Sequence, residues 1–253
     1  MTSSVPDIFG RTALVAGDPM MSLMAGTRVL IVGVGGVGSW AVEALVRSGI
    51  GHITIVDSDT IAVSNINRQL PALTTTVGRP KVDVLAERML QINPSLDIQA
   101  ICDVYTPENA HKYDLNAFDY IIDAIDTLRC KIELIQRACR SKACFFSSMG
   151  AARKLHASLI ATAEFSKVAG CPLARALRQR MRREGTMPQR KFMCVYSPEV
   201  IGHRKASDAS AGTDGWSAAK ASVNGTFAHT TAIFGFTLAG LVIEDLYDRT
   251  GGQ

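Results

Sequence analysis

Residues 31–38 read Ile31-Val32-Gly33-Val34-Gly35-Gly36-Val37-Gly38, four glycines where an apolar run ends and a helical pattern begins. Gly33 permits a sharp turn after the strand Val29–Val32. Gly35 and Gly36 clear side chains from the path of an approaching phosphate. Gly38 lets the following helix lie close to the sheet, its positive N-terminal end facing an anion. Asp57 closes the next strand pattern, His52–Val56, where a carboxylate can accept hydrogen bonds from ribose hydroxyls. A tight turn with no ligand uses the same glycines, so the fingerprint acquires meaning only from the polar residues downstream of it.

Four such residues come in order: Asn65, Arg68, Lys81 and Asp126. Asn65 and Arg68 stand just beyond the second strand, Lys81 opens a helix, and Asp126 comes after the strand pattern ending at Asp123. All four therefore fall at the carboxyl edge of a parallel sheet. A bound triphosphate needs cations along it and a carboxylate to hold magnesium. Arg68 and Lys81 suit the first role and Asp126 the second. Taken singly, each could be a solvated surface charge; as an ordered set they point to ATP with Mg2+.

Strand and helix patterns alternate through residues 28–150. Arg28–Val32, His52–Val56, Leu96–Cys102, Tyr120–Asp123 and Ala143–Ser147 read as strands. Val37–Ser48, Val82–Ile92 and Leu128–Arg140 read as helices, with Val82, Leu85, Ala86, Met89 and Leu90 forming one apolar face. This is an α/β pattern: a doubly wound, Rossmann-like, mostly parallel sheet. The pattern then changes. Ser158–Ala163 alternates like an antiparallel strand, Pro172–Glu184 is helical, Lys191–Tyr196 is a strand, and Thr226–Tyr247 is a closing helix. Antiparallel additions are thus expected in the C-terminal part. Residues 203–222, rich in Ser, Ala, Gly and Asp, read as a mobile loop. Phe227–Ile243 is the least polar stretch. It is short for a membrane span and holds His229, three threonines and two glycines, so it reads as a buried helix at a subunit interface, with His229 in the core.

The chain has 253 residues and a net charge of +4. Residues 167–191 carry eight Lys and Arg against Glu184 alone, or +7, leaving −3 for the remainder. One basic patch on an otherwise acidic protein points to a specific polyanion. Within it, Leu173, Leu177 and Met181 form an apolar stripe. Arg175, Arg178 and Arg182 then share an outer face suited to nucleic-acid phosphates. The six cysteines, at 102, 130, 139, 144, 171 and 194, show no Cys-x-x-Cys pair, so no zinc is expected. Cys194 is the thiol best placed to be a nucleophile, with a buried core thiol the simpler reading. Residues 1–25 lack a basic start followed by an apolar stretch, so no secretory signal and a reducing cytoplasm are expected.

The glycine fingerprint, Val56-Asp57-Ser58-Asp59-Thr60, Ser64-Asn65-Ile66-Asn67-Arg68-Gln69, Val77-Gly78-Arg79-Pro80-Lys81 and Asp123-Ala124-Ile125-Asp126 together resemble the ubiquitin-activating-type (ThiF-type) superfamily. Ser148-Met149-Gly150-Ala151, Cys171-Pro172-Leu173-Ala174-Arg175 and Val195-Tyr196-Ser197 narrow the resemblance to tRNA threonylcarbamoyladenosine dehydratases. The resemblance implies one ThiF-type domain over residues 1–253. Residues 28–150 would be its nucleotide-binding core and 151–253 a substrate and dimer region. It further implies ATP-dependent ring closure on a modified adenosine beside the anticodon of tRNA. It implies a homodimer as well, in which Arg11 reaches the partner's site as a catalytic arginine beside Arg68, Lys81 and Asp126. A cysteine desulfurase or sulfur-acceptor partner system is also implied. Ala152-Arg153 and His156-Ala157 stand where this resemblance leads one to expect Gly-Asn and Asp-Pro, a departure that bears on substrate fit. Two other functions compete. An adenylyltransferase activating a ubiquitin-like sulfur carrier should show zinc-type cysteine pairs and an accessible thiol. A nicotinamide dehydrogenase shares the glycines but has no use for Arg68, Lys81 and Asp126 together.

Overall fold

The computed structural model describes residues 7–202 and 225–251; the loop expected at 203–222 lies outside the described residues. Seven strands form one sheet: β1 (Arg28–Val32), β2 (His52–Val56), β3 (Asp97–Ile101), β4 (Tyr120–Asp123), β5 (Cys144–Ser148), β6 (Ala161–Glu164) and β7 (Met193–Tyr196). Their spatial order is β3-β2-β1-β4-β5-β7-β6. Every pair is parallel except β6–β7. The expected antiparallel addition is therefore a single strand: β7 continues the parallel sheet beside β5 and β6 closes the edge.

The strands are short and β-branched or aromatic, and their alternation feeds two cores. Val29, Ile31, Ile53, Ile55 and Tyr120 face one side; Leu30, Val32, Val56 and Ile121 face the other. Both faces are covered by helices, as an all-parallel sheet requires because neither face can meet water. The first core is closed by α1 (Gly10–Gly26), α2 (Gly38–Ser48), α3 (Lys81–Ile92) and α6 (Ala228–Arg249). The second is closed by α4 (Leu128–Ala138) and α5 (Pro172–Arg183). Leu90 is exposed and does not belong to the apolar face of α3 that the pattern suggests.

Helix α1 has no counterpart in the sequence pattern. It contains Gly17, at φ 70°, and Pro19, and its turns run together across a kink there. Proline removes a helical donor and clashes with the preceding turn, so Gly17-Asp18-Pro19 carries the signature of a break. Tertiary packing of Phe9, Met20, Met21 and Met24 into the first core holds the two parts together.

Helix α6 has the length and composition of a membrane span, at 22 residues and a mean hydropathy of 1.3 over its most apolar window. Here it packs against α2 within the chain, burying Phe234, Leu238, Ala239, Val242 and Leu246. Gly235 makes the approach possible. A Cβ at that position would stand 2.5 Å from the Val37 carbonyl oxygen and 2.7 Å from the Trp40 Cβ. Gly235→Ala is therefore expected to destabilise the protein by about 1–3 kcal/mol through overpacking. Gly240→Ala, where the nearest atom is Glu244 Oε1 at 3.9 Å, should instead stabilise it by up to about 1 kcal/mol through helix propensity. Urea unfolding midpoints of the two variants check the pair.

Candidate nucleotide site

The strand order reverses at β1, whose neighbours β2 and β4 are reached by connections running opposite ways, and ligands bind at such switch points. The glycine loop fills this place. Gly33 has φ 90°, and a Cβ on it would stand 2.8 Å from the Ala124 carbonyl oxygen; one on Gly38 would stand 1.8 Å from the Gly33 carbonyl oxygen. The Val34 amide donates to Asp57 Oδ2 at 2.8 Å and the Asp59 amide to Asp57 Oδ1 at 2.9 Å. Burial pushes the Asp57 carboxyl up from its ordinary range, and nearby Lys81 opposes the shift. A Cβ on Gly35 would meet Gln69 Nε2 at 3.6 Å, and one on Gly36 would meet Thr231 Cγ2 at 3.2 Å and Arg68 Cγ at 3.4 Å. Gln69 is buried, and its Oε1 has no partner among the described residues. A buried acceptor left unpaired beside a loop free of side chains fits a site that receives a polar ligand.

Two cations flank this cradle. The Arg68 carbonyl accepts from Trp40 Nε1 at 3.1 Å and Thr231 Oγ1 at 3.4 Å, which anchors the residue between α2 and α6. Its Nη1 donates to the Ser64 carbonyl and to Asn67 Oδ1, both at 2.8 Å. Burial lowers the guanidinium from its ordinary value while the Asp126 charge opposes it, so Arg68 and Asp126 are electrostatically coupled. Asn65 Oδ1 accepts from the Ala62 amide at 3.0 Å, shaping the turn that carries Arg68. Lys81, 4% exposed, is the first residue of α3, and its Nζ lies 2.7 Å from Asp59 Oδ2. Asp126 is exposed and accepts from Thr127 Oγ1 at 3.2 Å. Arg11 is exposed in the first turn of α1, far along the chain from these groups.

The structure adds a pair that the sequence pattern did not reveal. Asp123 and Lys131 are both fully buried, with Nζ 2.7 Å from Oδ2. Ser147 Oγ donates to the same oxygen at 2.7 Å, and the Ile125 amide donates to Asp123 Oδ1 at 3.0 Å. Lys131 Nζ also donates to the Ile125 carbonyl at 3.0 Å. The lysine thus ties Asp123 to Ile125 across Ala124, in the segment that presents Asp126 and lies against Gly33. A lysine within the buried stripe Cys130, Ile132, Leu134 and Ile135 of α4 was the available signal, because Lys is almost never buried without a partner.

Two expectations are corrected. Arg178 is not a free member of the outer basic face. Its Nη1 donates to the Phe165 carbonyl at 2.9 Å and its guanidinium lies 5.8 Å from the Phe165 ring, because the turn before α5 folds back under it. Arg175 and Arg182 are exposed as expected, and Leu177 and Met181 are buried. His229 is not a core histidine. It is exposed at the start of α6, its Nε2 2.9 Å from the Leu155 carbonyl. Cys194 is fully buried and burial pushes its thiol far up, the opposite of an activated nucleophile.

A model of the ThiF family matches residues 10–250. A tRNA threonylcarbamoyladenosine dehydratase of Escherichia coli is 39% identical over 198 residues, 76% of this chain and 74% of that protein. The protein of that name from Haemophilus influenzae is 36% identical over 248 residues, 95% of this chain and 94% of its own length. The crystal structure of the E. coli tRNA N6-threonylcarbamoyladenosine dehydratase in complex with ATP superposes with a TM-score of 0.84 at 33% identity, covering 97% of this chain and 96% of that one. The same enzyme has been solved in complex with AMP. A molybdopterin-synthase adenylyltransferase of E. coli is 35% identical over 114 residues, 43% of each chain.

Lys131→Met is expected to lower the unfolding free energy by about 3–5 kcal/mol, because it strands the Asp123 carboxylate in an apolar interior. Adding Asp123→Asn should recover part of that loss. Chemical denaturation of the single and double variants measures both; a single-variant loss below about 1 kcal/mol would make the pair no stronger than a surface bridge.

Proposed function

The chain belongs to the ThiF family, and we propose that it catalyses the ATP-dependent dehydration of threonylcarbamoyladenosine next to the anticodon of tRNA. In this reaction ATP activates the threonyl carboxylate as an adenylate or phosphate. The carbamoyl group of the same modification then attacks that carbon, a ring closes, and water is lost overall. The attacking group is tethered to the carbon it attacks, so proximity replaces a covalent enzyme intermediate. That chemistry leaves no task for a cysteine nucleophile, in keeping with the burial of Cys194. The observation that carries the proposal is the cradle itself: a glycine loop at the sheet's switch point, flanked by Arg68 and Lys81, in a chain that aligns almost end to end with dehydratases of this name. Activation of a ubiquitin-like carrier is supported by similarity over less than half of the chain.

In this reading the backbone amides of the loop Gly33–Gly38 receive the nucleotide phosphates, and Asp57 takes the ribose. Lys81 leaves Asp59 to meet phosphate, and Arg68 neutralises charge developing on the leaving group. Asp126 would hold Mg2+. Among the described residues no three His, Cys, Asp or Glu stand together as a metal cage. One carboxylate with substrate phosphates is an ordinary magnesium arrangement, so Asp126 fits the ion. A cytoplasmic location fits a tRNA substrate, and a homodimer fits the exposed apolar residues Leu14 and Val15, which are 87% and 79% accessible one turn from Arg11. That geometry supports Arg11 acting across a subunit boundary. A sulfur-transfer partner system remains an implication of the family resemblance.

Lys81→Met and Asp126→Ala should each lower ATP-dependent ring closure by roughly a hundredfold, about 3 kcal/mol of barrier, without shifting the unfolding midpoint. Mass spectrometry of nucleosides from the treated tRNA measures the product, and turnover near wild type in either folded variant would remove that residue from the site. The tRNA contribution of α5 rests on Arg175 and Arg182. Changing both to Gln should weaken tRNA binding at every sequence tested and flatten the dependence of log K on log salt by about 1.5 in slope, at roughly 0.7–0.9 per lost phosphate contact. An unchanged slope would move tRNA docking away from this helix.

A further inference from the structure

The segment after β5 returns toward the end of β7 and is stitched there. Arg153, at φ 60°, donates from Nε to the Ile201 carbonyl at 2.7 Å, and the Ile201 amide donates back to the Arg153 carbonyl at 3.0 Å. Lys154, buried, bonds through Nζ to the Glu199 carbonyl. The Glu199 carboxylate takes the Leu155 amide at 2.8 Å and the His156 amide at 3.0 Å on Oε2, and His156 Nδ1 at 2.6 Å on Oε1. The Glu199 side chain is 10% exposed and the His156 side chain 62%.

This arrangement assigns the proton positions on the imidazole. The Leu155 amide, aided by the His156 ring, holds the Glu199 carboxyl down at about 2, so it is ionised and can only accept. The hydrogen of neutral His156 therefore sits on Nδ1, which leaves the lone pair on Nε2, on the solvent side of an exposed ring. A base oriented by a carboxylate in this way is a recurring arrangement for proton abstraction.

The dyad belongs to the same edge of the sheet as the nucleotide cradle. Glu199 lies beyond the carboxyl end of β7, and β7 lies beside β5, with Val195 opposite Ser148. Hydrogen bonds link the His156 segment to Arg68 through the start of α6. Thr226 Oγ1 donates to the Ala151 carbonyl at 3.1 Å, and Asn67 Nδ2 donates to the Thr226 carbonyl at 3.2 Å. His229 bonds the Leu155 carbonyl, and Thr231, on the same turn of α6, reaches the Arg68 carbonyl. The cradle already supplies cations and carboxylates. Ring closure also needs an acceptor for the proton on the attacking nitrogen.

We propose that His156, oriented by Glu199, is the general base of ring closure, a role that rests on the dehydratase reading above. The urea nitrogen attached to the adenine forms a bond to the activated carbonyl carbon, closing a five-membered ring, as the bond from that carbon to the phosphate oxygen breaks. The electron pair leaves with the phosphate group, and the nitrogen's proton passes to His156 Nε2 and then to water.

The test uses the full-length protein, ATP and tRNA carrying threonylcarbamoyladenosine, and follows ATP consumption and ring closure separately. His156→Gln should slow ring closure by about 10²- to 10⁴-fold while ATP is still consumed, so that ATP spent per ring closed rises. Glu199→Gln should slow closure less. Imidazole in solution should partly restore His156→Ala, because the position is open to solvent. Unchanged ring closure in folded His156→Gln would overturn the proposal. So would equal loss of both steps without imidazole rescue, which marks a purely structural contact. A wild-type protein that makes no cyclic nucleoside would instead overturn the dehydratase reading, and this role with it.

Discussion

Between β1 and β4 the glycine loop meets the backbone of Ala124 so closely that the loop can carry no side chain there. Gly33 turns at positive φ against the Ala124 carbonyl, and Gly38 starts α2 almost on top of the Gly33 carbonyl. Any larger residue would push the strand ends apart and lift α2 from the sheet. With α2 displaced, Gly235 would lose its seat at Val37 and Trp40, and α6 would no longer close the first core. The opposite wall is held by the Asp123–Lys131 pair, whose lysine grips the Ile125 carbonyl. The crevice is thus defined by steric absence on one side and by a buried ion pair on the other. Both devices are rigid, which suits a site that must present fixed charges to a reacting centre.

The charges lining the crevice have internal partners. Lys81 lies on Asp59, and Arg68 is coupled to Asp126 and hydrogen-bonded to its own turn. Nearly buried Lys81 is thereby kept compensated. A polyanion would exchange these carboxylates for phosphate, a stronger and better-directed partner for a guanidinium. The basic helix α5 obeys the same logic of internal commitment. Arg178 holds the Phe165 turn and Arg180 pairs with Glu184, so Arg175 and Arg182 are the arginines on its outer face best disposed toward a ligand.

Periodicity and glycine spacing in the sequence were sufficient for the parallel strands, the order of the nucleotide-binding half and the positions of Asn65, Arg68, Lys81 and Asp126. These features are local: a strand reads as alternation or an apolar run, and a phosphate loop reads as glycines because steric demand acts on single residues. The features that stayed hidden were set by partners distant in sequence. Helix α1 gave no periodic signal and is kinked at Gly17, and the packing of Phe9 and its methionines holds its two parts against the core. His229 sits in an apolar sequence yet faces out, because the helix turns its other side to the core. Lys131, Glu199 and Arg178 took their meaning from groups 8, 43 and 13 residues away: Asp123, His156 and Phe165. Sequence by itself determined the fold class and the glycine loop at the switch point, since both arise from backbone sterics and hydrophobic period. Tertiary structure alone decided which charges are paired and which carboxylate the imidazole meets, because those depend on through-space contacts that no local pattern encodes.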